Sequence, residues 1–445
     1  MSAEKKSDQG VKFDLPTKLL GGAILGIAIG LVGMLTALTT EGDAPLDKAP
    51  FLGWLWGCAF WLSIAIGLLM LVMMFRVFNS QWTPIVRRQQ EHGLAAFPWL
   101  GLCFAPLLLV ALFGGENAGI LWSWVNPESS TYAPPHLQDS NAPTTVSSDV
   151  LYEKKSGYLN LYFFALRLIL YFGIFCGLSY WMRKVSFTQD KDGDPKWTHL
   201  GMKLSAAGIP ATALALTFGA FDLFMSLEYQ WFSTMYGVWF FASGIRAALA
   251  VTIIGCLYLS TKGSLKGLYK QAHQYDLACL SLAFTVFWAY ISFSQYFLIY
   301  SANIPEETFW YIIREINPNT GERSGWFLVS LGLIFGYFFF PFLYLLFYKN
   351  KVDGPRIIFI AVWILLFNLL DLYWNIIPGR EIRPGSLVGY EARPVFGVHL
   401  LWGLASLVGV GCLCAWAVLR SFKSKQAEDI PIRDPRILDS INYHE

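Results

Sequence analysis

FLGWLWGCAFWLSIAIGLLMLVMMFRV, residues 51–77, decides the fold: 27 residues long, it holds one charge, Arg76, beside its end. An α-helix rises about 1.5 Å per residue, so about 20 apolar residues match a hydrocarbon core about 30 Å thick. A spanning strand needs only about 9–11 residues of alternating polarity, whereas this run is apolar on every side. It reads as a transmembrane helix. Nine further stretches read the same way, at 18–38, 93–113, 158–182, 204–227, 235–260, 277–301, 325–348, 357–377 and 396–419.

Composition agrees. Of 445 residues 55% are hydrophobic and 14% charged, against a soluble norm of about 25% charged. A soluble fold would leave much of that apolar surface wet. The expected organisation is a cytoplasmic N-terminal segment over 1–16, a polytopic transmembrane domain over 17–420 and a cytoplasmic tail over 421–445. The first span follows Lys5, Lys6 and Lys12, but its apolar run exceeds the 7–15 residues of a secretory signal core, so it is expected to stay as an uncleaved helix.

Ten spans put both ends on one side. Lys5, Lys6, Lys12, Arg76, Arg87, Arg88, Arg183, Lys184, Lys262, Lys266, Lys270 and Lys425 all fall there, while the opposite loops hold fewer cations, among them Lys154, Lys155, Arg314, Arg380 and Arg383. The positive-inside rule then makes both termini cytoplasmic.

The outer loops are 114–157, 302–324 and 378–395. The first holds Asn126-Pro127 and Pro134-Pro135 and is expected to lack regular structure; a loop of that size binds something or moves. The second holds Pro305-Glu306-Glu307, a helix-start pattern. Phe309, Trp310, Ile312, Ile313 and Ile316 follow, so a short helix at the outer membrane surface is expected, its aromatics at headgroup depth. The tail is either a strap onto a partner or disordered.

Several chemistries are excluded. All seven cysteines fall within spans, and no Cys-x-x-Cys-His occurs to attach haem covalently. Of six histidines, His92 and His136 read as loop residues and His444 is terminal; His199 and His273 lie at inner span ends and His399 at an outer one, so b-type haem, which needs an axial pair facing one cavity, is not expected. No phosphate-binding loop, zinc-protease motif or nucleophile elbow is present. A net charge of +2 with no basic block gives no reason to expect nucleic acid.

A charge in hydrocarbon costs about 2.5–3.5 kcal/mol even on lenient scales, so ionisable residues inside spans need explaining. Arg167 reads near the middle of the fourth span and Arg246 near the middle of the sixth. Asp222 lies in the outward half of the fifth with Glu228 at its end, and Asp371 in the outward half of the ninth. His199 marks the inner end of the fifth and His399 the outer start of the tenth. Spans five and six form a tight hairpin, so an Asp222–Arg246 ion pair is expected, serving either a proton route or as a clamp between helices. Phe221-Asp222-Leu223 and Leu370-Asp371-Leu372 repeat at a shift of four helices. That repeat predicts two four-helix bundles, spans 2–5 and 6–9, flanked by helices 1 and 10. Ser292, Gln295 and Tyr296 share a face of span seven, fit for water or for bonding a neighbouring helix.

The stretch Phe221-Asp222-Leu223-Phe224-Met225-Ser226-Leu227-Glu228, with Trp231-Phe232-Ser233-Thr234-Met235-Tyr236-Gly237, resembles the NrfD-like membrane subunits of alternative complex III, a bacterial quinol:cytochrome c (or other acceptor) oxidoreductase. So do Phe293-Ser294-Gln295-Tyr296 and Asn303-Ile304-Pro305-Glu306-Glu307-Thr308. The likeness is nearest to the smaller, F, subunit. The resemblance implies an all-α integral membrane fold in a bacterial inner membrane, with no haem or iron–sulfur cluster in this chain. Haem c and iron–sulfur clusters would belong to multihaem cytochrome c and iron–sulfur partner subunits. The quinol site would belong to a larger NrfD-like subunit, and small membrane subunits, lipids and a terminal oxidase would complete the surroundings. For this chain it implies a non-catalytic scaffold with a proton-translocating half-channel. Asp222, Glu228 and Arg246 match that proposal; His199, Asp371 and His399 join them on chemistry and depth alone. A purely structural anchor and a secondary transporter are the competing readings. The transporter is disfavoured because Pro210 and Pro341 form no matched pair of broken helices.

Overall fold

The computed structural model describes residues 17–39, 47–129, 145–382, 390–424 and 428–444. The basic N-terminal residues Lys5, Lys6 and Lys12 with the rest of segment 1–16, Pro134-Pro135 and His136, Arg383 and Lys425 lie outside them. The chain is an all-α integral membrane protein. Ten helices are long and apolar enough to cross a bilayer: Thr17–Thr39, Ala49–Val77, Pro84–Phe113, Leu161–Asp192, Lys196–Glu228, Tyr236–Lys262, Gln271–Ala302, Gly325–Leu346, Gly354–Ile376 and Val398–Lys423. They are called spans one to ten. The face holding the start of span one and residues 428–444 is the terminal face; the other is the far face.

Local chemistry sets the ends. Asn160 caps span four by accepting from the Phe163 amide at 3.0 Å, and Ser324 caps span eight through the Trp326 amide. Span four stops at Gly193 (φ 71°) and span seven at Asn303 (φ 49°), both left-handed.

Spans two to five close one four-helix ring and spans six to nine a second, as the Asp222/Asp371 repeat predicts. Spans two and six lie back to back between them, with 89% and 72% of their apolar windows buried against 22–44% elsewhere, which makes them the centre of the protein. They approach closely because small residues meet. A Cβ on Gly244 would stand 2.7 Å from the Ser63 carbonyl oxygen.

Span ten packs on span two, and span one on span ten. A Cβ on Gly26 would fall 2.6 Å from Gly409 Cα. Gly26→Leu is therefore expected to destabilise the protein by about 1–3 kcal/mol, the usual cost of overpacking. Gly21→Leu, on the same helix with nothing near its Cβ, should leave the thermal midpoint in mild detergent unchanged; equal effects would refute the close approach.

The structure departs from the sequence expectation in several places. Span three begins at Pro84, nine residues early, because Arg87 and Arg88 are paired there with Glu91, Asp434 and Asp190; His92 is thus a fully buried helical residue and not a loop residue. The described parts of loop 114–157, residues 114–129 and 145–157, form 3₁₀ turns Gly115–Gly119, Ser123–Val125 and Val146–Ser148 and a helix Val150–Lys155, where no regular structure was expected. Its buried Trp122 and Trp124 pack on Phe164 of span four and hold it down.

The helix Pro305–Glu315 forms as expected but caps the second bundle: Trp310 stacks on Trp231 at 4.4 Å, and Ile313 and Arg314 are wholly buried. A two-stranded hairpin, Arg380–Ile382 with Tyr390–Ala392, lies beside it, Tyr390 packing on Ile313. The tail, finally, straps onto its own chain. Asp434 pairs with Arg87 at 2.5 Å, Ser440 donates to the Trp82 carbonyl at 2.9 Å, and Tyr443 donates to Asp276 of span seven at 2.9 Å, so the segment ties one bundle to the other.

Burial alone would raise the Asp434 carboxyl, but Arg87 and Arg436 outweigh it and hold that group below the usual carboxylate range. A depressed carboxylate stabilises above its unfolded pKa of about 3.9 and stops doing so as pH falls through the folded value. The strap should therefore stay docked from neutral pH to about pH 4 and loosen only below it. Cleavage of 428–444 by an acid protease across that range checks this; release already at pH 6 would contradict it.

Candidate functional site

The intramembrane ion pair exists, but between other partners. Asp222 is engaged by Arg167 of span four through two bonds, Nε at 2.7 Å and Nη2 at 2.8 Å, and accepts a third from the Tyr171 hydroxyl at 2.9 Å. The guanidinium also donates to the Tyr158 carbonyl and lies 3.8 Å from that ring. This corrects the Asp222–Arg246 expectation. The reason is depth: span four starts at Leu161, so Arg167 lies two turns from the far end, level with Asp222 and not midway down. Arg246 sits about 15 Å inside span six, donates to the Tyr337 carbonyl at 2.7 Å and stacks on that ring at 3.7 Å. Among the described residues its Nε and Nη1 find no acceptor.

Asp371 differs in kind from Asp222. It is buried, yet among the described residues no cation touches it. Its Oδ2 accepts from Trp239 Nε1 at 3.1 Å, Ser243 Oγ at 3.0 Å and Trp288 Nε1 at 3.0 Å, while Oδ1 holds only a long 3.4 Å contact from Asn375. The single Ser243 hydroxyl proton is within reach of both Asp371 and the Asn368 Oδ1, 2.6 Å away, and can serve one of them at a time; Asn368 in turn reaches Tyr337 at 3.2 Å and Ser63 of span two at 3.4 Å. A polar chain thus leads from the second bundle to the centre of the protein. Arg246 completes the charge balance at longer range.

Asp371 also lines a cavity of about 500 Å³ in the far half of the second bundle, between spans seven, eight and nine and beneath helix Pro305–Glu315. Gln295 and Ser292 line it, as the shared polar face of span seven suggests, and Gln295 bonds both Ser233 (3.0 Å) and Tyr311 (3.1 Å). Span eight turns π-helical over Leu333–Phe339 along this wall, a distortion that recurs at functional sites.

The other sequence candidates stand apart. Glu228 pairs with Arg380 at 2.9 Å and accepts the Arg380 amide, fastening the far-face hairpin. His399 is buried, 2.7 Å from the Tyr373 hydroxyl, which donates to the Val395 carbonyl. His199 is exposed at the terminal-face end of span five, about 34 Å of helix rise from Asp222. A second ionic centre passed unread in the sequence: Glu91, fully buried, faces Arg76 at 2.7 Å, Arg87 at 3.2 Å and Arg88 at 3.3 Å, and Arg88 also pairs with Asp190. The spacings of three and four between Arg88, Arg87 and Glu91 were the available signal.

The described residues contain no cluster of histidine, cysteine and acid suited to a metal. A scan against protein-family models finds no match to the chain, and a search of curated proteins finds none.

Proposed function

We propose that the chain is a membrane subunit of a quinol-oxidising respiratory complex of the alternative complex III kind, serving as scaffold and as one half of a proton route, with its termini on the cytoplasmic side of a bacterial membrane. The observation that carries the proton role is Asp371: a buried carboxylate facing a cavity on one side and a chain of hydroxyl and amide groups on the other. A proton route needs groups within hydrogen-bond reach or linked by water, and a carboxyl without a salt-bridged cation can gain and lose a proton where a paired one is locked as the anion. The route is a half-channel because span six continues past Arg246 with Ala247, Ala248, Leu249 and Ala250, an apolar gap before Thr252.

Redox chemistry in this reading belongs to partners holding haem c and iron–sulfur clusters, and quinol oxidation to a larger paralogous subunit. The anchoring reading fits Asp222 better than the proton reading does, since Arg167 and Tyr171 occupy its acceptors. Asp371 and Asp222 thus divide the two roles.

Purification from native membranes in mild detergent should bring down a multihaem cytochrome and an iron–sulfur protein. Asp371→Asn should keep that assembly and quinol oxidation while lowering the protons moved per electron. A solitary, haem-free chain that exchanges a solute would overturn the respiratory reading; unchanged proton movement in Asp371→Asn would overturn the half-channel.

A further inference from the structure

We propose that the groove between spans four and ten at the terminal face is a binding site for an anionic phospholipid with two phosphates, a diphosphatidylglycerol. Both spans pack on span three, which floors the groove. The three elements meet at one atom: Ser421 Oγ of span ten accepts from Arg183 Nη2 of span four at 2.8 Å and lies 2.9 Å from His92 Nδ1 of span three. From this bridge toward the bilayer centre, span three turns Pro98, Leu102 (62% exposed) and Leu109 (53% exposed) outward. Their spacings of four and seven keep them on one helical face, an apolar track along which acyl chains can lie.

The walls supply the charge. Span four carries Arg183 and Lys184, and span ten carries Arg420 and Lys423; all but the half-buried Arg183 are exposed. Among the described residues no carboxylate pairs with any of the four, whereas the neighbouring Arg76, Arg87 and Arg88 are matched by Glu91, Asp190 and Asp434. Of the Arg183 fork only Nη2 is bonded among the described residues, which leaves Nη1 for a phosphate oxygen, the acceptor a guanidinium takes best. Two cations on each wall suit one phosphate per wall, with a glycerol joining the two across the floor.

Aromatic rings set the depth. Lys184 Nζ lies 4.7 Å from the Trp181 ring, Arg420 lies 5.3 Å from the Trp416 ring, and Trp416 meets Trp99 of span three edge-on at 5.2 Å. Counted from the far ends at Leu161 and Val398, Trp181 and Trp416 stand about 30 Å and about 27 Å along their helices, the interfacial level at which indoles settle. A basic pocket between spans at that level is the arrangement that holds a diphosphatidyl headgroup, and the apolar floor below it selects a lipid over a free phosphate. The inference goes beyond the respiratory reading and does not depend on it, because this chain alone forms the groove.

The test uses the full chain in the assembly with which it purifies, delipidated in mild detergent and offered equimolar diphosphatidylglycerol, phosphatidylglycerol and phosphatidylethanolamine, with retained lipid read by native mass spectrometry. Lipids on partner subunits are untouched by substitutions in this chain, so the difference between wild type and variant reads the groove. We expect about one diphosphatidylglycerol per chain, held more tightly than phosphatidylglycerol and far more tightly than phosphatidylethanolamine. Each cation removed at such a surface lowers affinity about fivefold, so Lys184→Gln/Arg420→Gln should weaken retention about 25-fold. Lys262→Gln/Lys266→Gln, the same charge change at exposed positions at the end of span six and just beyond it, should leave retention unchanged. A diazirine in the acyl chain gives a readout without variants, with adducts expected on spans three, four and ten. Equal retention of the three lipids or of the two anionic ones, displacement by excess inorganic phosphate, equal loss in both double variants, or adducts confined to other spans or other proteins would overturn the site.

Discussion

Arg167→Met is expected to destabilise the protein by about 3–5 kcal/mol, the usual consequence of leaving one buried charge without its partner. Asp222 would keep only the Tyr171 hydroxyl, 2.9 Å away, in a site where both side chains of the pair are almost completely enclosed. Asp222→Leu should cost a comparable amount by stranding the guanidinium. The double variant Arg167→Met/Asp222→Leu should recover most of the loss, because apolar replacement of a buried pair is often neutral or better. Unfolding in mixed micelles and chain abundance in membranes read all three. If the double variant is as poor as the singles and proton movement is also lost, Asp222 does chemistry and is not merely a fastening between spans four and five.

Glu91→Gln should have the other large effect. Arg76, Arg87 and Arg88 all face this carboxylate, while Asp190 and Asp434 supply the remaining nearby negative charge. Three guanidiniums would then share two anions away from water, at several kcal/mol per unbalanced ion. The expected result is near-complete loss of folded chain, with partial recovery on adding Arg76→Met, which removes one surplus cation. Normal expression of Glu91→Gln would show that water reaches this centre and that its charges are screened. Because Asp434 comes from the strap, Asp434→Asn should show a weaker form of the same defect, read as protease sensitivity of 428–444 at neutral pH.

Much of the fold was legible in the sequence. Span positions follow from lengths of apolar run, and the twin bundles from the spacing of Asp222 and Asp371. Lateral neighbours were not legible. Sequence yields depth along each helix, and depth depends on where a helix starts. Placing the start of span four before Asn160, its capping residue, and its end near Met182 put Arg167 too deep and gave Asp222 the wrong partner. The depth of Asp371 is legible in the sequence, but its donors Trp239 and Trp288 are not, because an indole in a span reads first as packing or interfacial anchorage. Arg87 and Arg88 read first as orientation signals at a span end. Their pairing with Glu91 at helical spacing was visible, and so was the polarity of the tail, yet only folding back along the terminal face brings Asp434 to Arg87.

The Gly26–Gly409 approach bears on how the polypeptide is made. Span one finds its main neighbour in span ten, which is synthesised nearly four hundred residues after it. Until then it must wait in the bilayer with one glycine-lined side unmated, held chiefly by Trp54 against Gly30. Closure of span one onto span ten consequently has to follow synthesis of span ten, and a chain cut short before it would leave span one free to pair elsewhere or be cleared.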